Sequence, residues 1–270
     1  TQGVSSAASD VYKRQIKENN MTIKSNSSGF TLAEVLITLG IIGVIAALTL
    51  PNLITQYQKS ATVQGLKVAY SLLSQAVQKS VSENGEINEW DYSLSSADFD
   101  ETYLIPYLKI VKKCEGAECI TTDDFHGYYQ LNGSKYTHID KSYILSNGMI
   151  LMKDTAGISL GFIVYMIDIN GNKRPNKMGR DIFSFYLFNH DTLTDASHKN
   201  VTKDIKSNLY PGSLDEKGMP HYYESRDYIM SSASHRGCNK QSAGGHSGIG
   251  SACAVVIMKD GWKISKDYPW

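Results

Sequence analysis

Apolar residues run almost unbroken from Phe30 to Leu50, and Glu34 is the one charge among them. At about 1.5 Å rise per residue, this stretch matches a hydrocarbon core about 30 Å thick. It is longer than the apolar part of an ordinary cleaved signal. No small-residue cleavage site follows Leu50, where the chain reads PNLITQYQ. The pattern predicts a retained transmembrane helix over 30–50. Beyond Pro51 the periodicity changes. Leu66, Ala69, Leu73, Ala76, Val77 and Ser80 share one face, while Lys67, Gln75, Gln78 and Lys79 fall largely elsewhere. That spacing predicts an amphipathic continuation over 51–84, stopping near Glu83 at Asn84-Gly85. A second, short helix is predicted within SADFDETYLIPYLKIVKKC, with a break at Pro106.

The pattern then turns to strands. GMILMKD (148–154), SLGFIVYMIDI (159–169) and DIFSFYLF (181–188) are rich in β-forming residues separated by turn residues, and Asn170-Gly171 is a turn signal. They predict an antiparallel meander laid against the helix. Residues 189–237 are polar, poor in aliphatics and read as loop-rich. AVVIMKDGWKI (254–264) reads as a last strand or pair of strands. The implied fold class is α+β, with a long N-terminal helix packed on an antiparallel sheet and a globular head over 85–270.

A length of 270 residues admits one large domain or two small ones, and 27 basic residues balance 27 acidic ones. Zero net charge argues against a general nucleic-acid binder. The four cysteines, Cys114, Cys119, Cys238 and Cys253, all follow the apolar run. They read as two disulfides in an oxidising compartment. Local pairing, Cys114 with Cys119 and Cys238 with Cys253, closes the shortest loops; the other two pairings stay open. The spacing of CEGAEC is not that of a zinc knuckle. At the N-terminus, SSAASDVYKRQ (5–15) resembles a translated sequencing adapter. Residues 1–20 are accordingly treated as a non-native or disordered tail and Met21 as the start, leaving 21–29 as a short leader. Lys24 favours a cytoplasmic N-terminus and an exported body, although Lys59 and Lys67 weaken that asymmetry.

A carboxylate within a membrane span costs a few kcal/mol and marks function. Glu34 lies one helical turn from Phe30, near the interface. A snorkelling side chain at a helix end is one reading. The other needs a cation at the same depth, and the run contains none. A cut between Gly29 and Phe30 would create one, the new α-ammonium.

SSGFTLAEVLITLGIIGVIAALTLP resembles the N-terminal processing signature of type IV pilins and of the pseudopilins of type II secretion. The resemblance implies a pilin-like fold and cleavage by a prepilin peptidase between Gly29 and Phe30. It further implies N-methylation of Phe30 and a register-setting role for Glu34. Pro51 falls about one span later, where family members loosen their helix. The implied partners are the prepilin peptidase, other pilin or pseudopilin subunits, an inner-membrane assembly platform and membrane lipid. The implied location is a single pass in the cytoplasmic membrane, with the head periplasmic or extracellular. No cofactor and no enzymatic activity are expected. Pilus and secretion pseudopilus both remain open. A reading from another class is a tethered exported enzyme or binding module that uses the span only as an anchor.

Three constellations in the head invite chemistry. Asp168, Asn170, Asn172 and Asp181 offer oxygens to a hard cation such as calcium. The spacing is not that of an EF-hand, because Gly171 comes too early and no Glu stands twelfth. A turn held by its own Asn and Asp side chains is the favoured reading, with no metal. Lys173, Arg174, Lys177 and Arg180 form a basic cluster that reads as a solvated loop, ahead of a contact with DNA or an acidic neighbour. Ser, His and Asp occur without a G-x-S-x-G turn, and no catalytic residue is assigned.

Overall fold

A computed structural model of the chain describes residues 29–120, 127–154, 162–189, 206–215, 220–241 and 248–270. The tail over 1–20 and most of the leader lie outside the described residues. The chain divides into two units, Thr1–Leu53 and Ile54–Trp270.

The first unit holds the start of helix α1 (Leu32–Asn84), which runs through Pro51. Among the described residues, α1 is the one helix long and apolar enough to cross a membrane, and none of its most apolar window is buried in protein. Leu36, Ile37, Ile42 and Leu48 are all exposed.

In the second unit, α1 buries Thr62, Val63, Leu66, Ala69, Leu73, Ala76, Val77 and Ser80, the stripe its spacing predicts. Gly65 lets the helix approach closely, since a Cβ there would lie 2.8 Å from Ile169 Cδ1. The helix ends at Asn84, and Gly85 follows in the left-handed region at φ +82°.

The predicted short helix is α2 (Ser96–Tyr103), capped by the Ser95 hydroxyl, which accepts from the Asp98 N–H at 3.2 Å. A 3₁₀ turn over Ile105–Tyr107 contains Pro106, and the chain leaves it as strand β1 (Ile110–Glu115). A two-stranded ribbon follows, β2 (Tyr128–Tyr129) with β3 (Lys135–Tyr136). The main sheet then adds β4 (Ile139–Leu145), β5 (Ile150–Asp154), β6 (Phe162–Asp168), β7 (Ile182–Phe188) and β8 (Asn208–Pro211). Its order is β1-β4-β5-β6-β7-β8, and every pairing is antiparallel.

The architecture is therefore α+β and pilin-like, a long N-terminal helix packed on an antiparallel sheet. The predicted meander is β5-β6-β7. Alternation assigns its two faces. Ile163, Tyr165 and Ile167 of β6, with Phe183, Phe185 and Leu187 of β7, join the core that contains Leu66 and Leu73 of α1. Ile150, Met152, Met166 and Ile182 point the other way, into a second core with Tyr128, Ile120 and both cysteines of the first pair. Burial on both faces explains the near-continuous apolar runs of these central strands.

The C-terminal expectation is corrected. Residues Cys253–Lys259 form a helix, here called α3, not a strand. Ala254, Val255, Val256 and Ile257 are all fully buried in the main core. A short apolar run with β-branched residues suits a strand or a buried helix equally, and packing decides. Gly261 and Trp262, both at positive φ, close the helix by donating to Met258 O and Ile257 O at 3.0 and 2.8 Å.

One buried polar group ties α2 to the sheet. Asp100 accepts from Lys153 Nζ at 2.7 Å, from the Tyr165 hydroxyl at 2.6 Å and from the Tyr143 hydroxyl at 2.9 Å. Lys153 also donates to Ser96 O at 2.8 Å. Asp100→Ala leaves an ammonium buried without its counter-charge and should lower stability by about 3–5 kcal/mol. Leu73→Ala, a truncation in the main core, should cost about 2–5 kcal/mol. Denaturant unfolding of the purified chain in detergent checks both.

Candidate functional site

Two places concentrate unusual chemistry. The first is the start of α1. Thr31 stands just before the helix, and its hydroxyl oxygen accepts from the Glu34 N–H at 3.2 Å. Glu34 Oε2 in turn accepts from the Thr31 N–H and the Thr31 hydroxyl, each at 2.8 Å. This reciprocal pair is a capping box, which satisfies helix N–H groups that have no partner within the helix. The spacing Thr-x-x-Glu carried the signal for it. Both of these bonds engage Oε2; among the described residues Oε1 accepts none. Gly29 and Phe30 precede the helix, and Phe30 is 87% exposed.

The second place is the loop between β6 and β7. Asp168 ends β6 and Asp181 stands just before β7, and both carboxylates are buried. Asp168 accepts from the Asn170 N–H at 3.1 Å and from the Tyr128 hydroxyl at 3.2 Å. Asp181 accepts from the Lys177 N–H at 2.6 Å, the Asn176 N–H at 2.7 Å and Asn170 Nδ2 at 3.3 Å. The two acids thus gather Asn170 and Asn176 between them. Gly171 sits at φ +68°, where a Cβ would come within 2.7 Å of Gly148 O. Burial, then the negative charge of Asp181, pushes the Asp168 carboxyl up to about 8. Burial pushes Asp181 up to about 6, against the backbone hydrogen bonds that lower it. Among the described residues neither acid joins an ion pair.

The predicted basic cluster does not neutralise them. Lys173 and Arg174 are exposed. The Arg180 guanidinium lies over the Trp270 ring at 4.4 Å, and its backbone carbonyl accepts from the Thr62 hydroxyl at 3.0 Å. Burial and the like charges of Lys240 and Arg180 lower the Lys177 ammonium. A cleft of about 530 Å³ opens beside this loop, lined by Tyr57, Asn170, Arg174, Arg180, Asp181 and Trp270 among others.

The cysteines pair locally. Cys114 bonds Cys119 beside the second core, and Cys238 bonds Cys253 at the start of α3. His221 Nε2 is 3.3 Å from Ser234 Oγ, yet both residues are fully buried, out of reach of a substrate. Among the described residues no three of His, Cys, Asp and Glu cluster as a metal-binding group.

Comparison with known families divides the chain near the same place. The family described as "Family of unknown function (DUF6613)" matches residues 52–270. The "Prokaryotic N-terminal methylation motif", the prepilin signature of type IV pilins and pseudopilins, matches residues 24–50. No curated protein and no solved structure matches the chain.

The raised acids fix a sign for the pH dependence of stability. Their folded pKa values lie above the ordinary carboxyl value, so between about pH 4 and pH 8 the folded state binds more protons than the unfolded chain. Their contribution to stability is present at low pH and is lost as pH rises through that window. In EDTA-containing buffer, thermal unfolding should shift to lower temperature from about pH 5 to about pH 7.5, and Asp168→Asn should remove much of that slope.

Proposed function

The chain belongs to the family of unknown function DUF6613, and from the methylation motif that precedes the matched region we propose that it is a structural, pilin-like subunit. A prepilin peptidase cuts it after Gly29, and Phe30 becomes the N-methylated first residue. Subunits then assemble with other pilin-like subunits into a pilus or pseudopilus through an inner-membrane platform. The protein is stored meanwhile as a single-pass membrane protein, N-terminus cytoplasmic, with the head outside. It needs no cofactor and carries no catalytic activity of its own.

The observation that carries this reading is the prepilin signature joined directly to an apolar helical segment that is exposed among the described residues. Lipid covers such a surface before assembly and the helices of neighbouring subunits cover it afterwards. The capping box supports a division of labour within one carboxylate. Oε2 serves the subunit's own helix start, and Oε1 is left for the Phe30 ammonium of a neighbour. Opposite charges meeting in a low dielectric fix the axial register of one helix on the next.

Glu34→Gln separates the two duties, because glutamine also serves in a capping box but carries no charge. The variant should insert and be processed like the wild type yet fail to form filaments. Thr31→Ala, which costs the helix start about 1 kcal/mol, should still assemble. Filament yield by electron microscopy, with intact mass of the mature chain, reads both. Normal filaments from Glu34→Gln, or a mature chain that does not begin at methylated Phe30, would overturn the proposal.

A further inference from the structure

Two arginines in the head carry charge that the rest of the chain does not meet. The Arg180 guanidinium lies over the Trp270 ring at 4.4 Å, yet its Nε is buried and has no hydrogen-bond partner. Arg174 lines the same cleft and is exposed. Among the described residues neither arginine joins an ion pair. A buried donor on a charged group is costly to leave unpaired, and native folds keep few of them. Further cations gather here. Lys59 Nζ stands 5.8 Å from the centre of the same Trp270 ring, and Lys240 Nζ donates to Trp270 O at 3.2 Å. Burial and the like charges of Lys240 and Arg180 lower the Lys177 ammonium.

The acid in the cleft wall does not neutralise this cluster. Asp181 is buried, and its carboxylate accepts from the Asn176 and Lys177 N–H groups and from Asn170 Nδ2, which commits it to its own loop. The indole ring fixes the plane of the Arg180 guanidinium by a cation–π contact. Its fork of donors then suits a phosphate, which takes two parallel N–H bonds. The cleft, at about 530 Å³, has the size of a small-molecule site. Sequence distance narrows the source of the phosphate. Tyr57, in the cleft wall, is seven residues past Leu50, where the apolar run ends. Seven residues reach at most about 25 Å even when extended. Tyrosine, tryptophan and basic side chains together are the mixture found at membrane interfaces.

We propose that this cleft binds the phosphate of an anionic lipid headgroup, with Arg180 as the fork that holds it and Arg174 as a second positive charge at the exposed rim. Tyr57 and Trp270 give the rest of the headgroup its aromatic walls. A glycerol-type headgroup with one net negative charge suits the cleft better than a choline one. A quaternary ammonium would add a further cation to a cluster of like charges. The Trp270 ring that would take a choline already carries Arg180. The proposal rests on the reading of residues 30–50 as a membrane span, but not on assembly into a filament, since it concerns the head of a single subunit.

The full chain in detergent, titrated by calorimetry with dihexanoyl phosphatidylglycerol below its micelle concentration, tests this. The lipid should bind saturably, and dihexanoyl phosphatidylcholine much more weakly. Arg180→Gln should weaken binding by about tenfold to a hundredfold while leaving the circular dichroism unchanged. Arg180→Lys, which keeps the charge but loses the fork, should fall between that variant and the wild type. If Arg180→Gln fails to fold, Arg174→Gln, on an exposed side chain, carries the test with a loss of about fivefold. Inorganic phosphate and glycerol 3-phosphate offer little to the aromatic walls and should bind more weakly than the lipid. Equal binding of either would give the cleft to a free phosphate and overturn the lipid assignment. No saturable heat with phosphatidylglycerol, or wild-type binding by Arg180→Gln, would overturn the proposal outright. So would a loss of self-association in Arg180→Gln without lipid binding, which would give the cleft to an acid of a second copy. Binding is read on the unassembled chain, so failure here leaves the Glu34→Gln filament test standing, and the reverse holds too.

Discussion

An apolar surface left open among the described residues governs this molecule. Leu36, Ile37, Ile42 and Leu48 stand open along the first part of α1, and water penalises each at about 25 cal/mol per Å². The rest of α1 shows the opposite solution. Its stripe from Val63 to Val77 closes against Tyr165, Phe183 and Phe185 of the sheet. One helix therefore carries two kinds of surface, one completed inside the chain and one that needs an outside medium. The prepilin motif stands at the open end, and the family match covers the closed one.

Much of this was legible from residue order. The period of Leu66, Leu73 and Val77 marks one helical face whatever it packs on. The runs over 150–154, 162–168 and 182–188 read as strands from their β-forming residues and the turn residues between them. The short loops between paired cysteines made local bridges the cheapest closure. Strands β1 and β4 escaped notice because IVKKCE and IDKSYIL mix lysine, aspartate and serine into their faces. Their partners supply the pattern that their own residues lack. The C-terminal helix escaped for the converse reason. Its residues are uniformly apolar, so period carries no information, and only its position in the core selects a helix.

The sites divide in the same way. Gly29, Phe30, Glu34 and Pro51 are recognisable because the motif is linear. The oxygen-rich loop was visible as Asp168, Asn170, Asn172 and Asp181, but the part Asn176 plays in it was not, since its left-handed backbone and its burial follow from the folded loop. The Asp100–Lys153 contact spans 53 positions and joins an aspartate on a short helix to a lysine on a strand. Nothing in the local sequence around either residue distinguishes it from an ordinary surface charge. Buried ion pairs of this kind are decided by tertiary placement.

Strand β1 is outermost in the sheet, and along it Val111 and Lys112 face solvent while Lys113 pairs with Glu101 at 2.6 Å. A free strand border is a row of unused amide donors and acceptors, a ready template for another chain. The Lys112 ammonium on that border repels its counterpart in a second copy and holds water close. Many copies crowded side by side in one plane can therefore stay separate molecules, without their sheets fusing into a continuous ribbon.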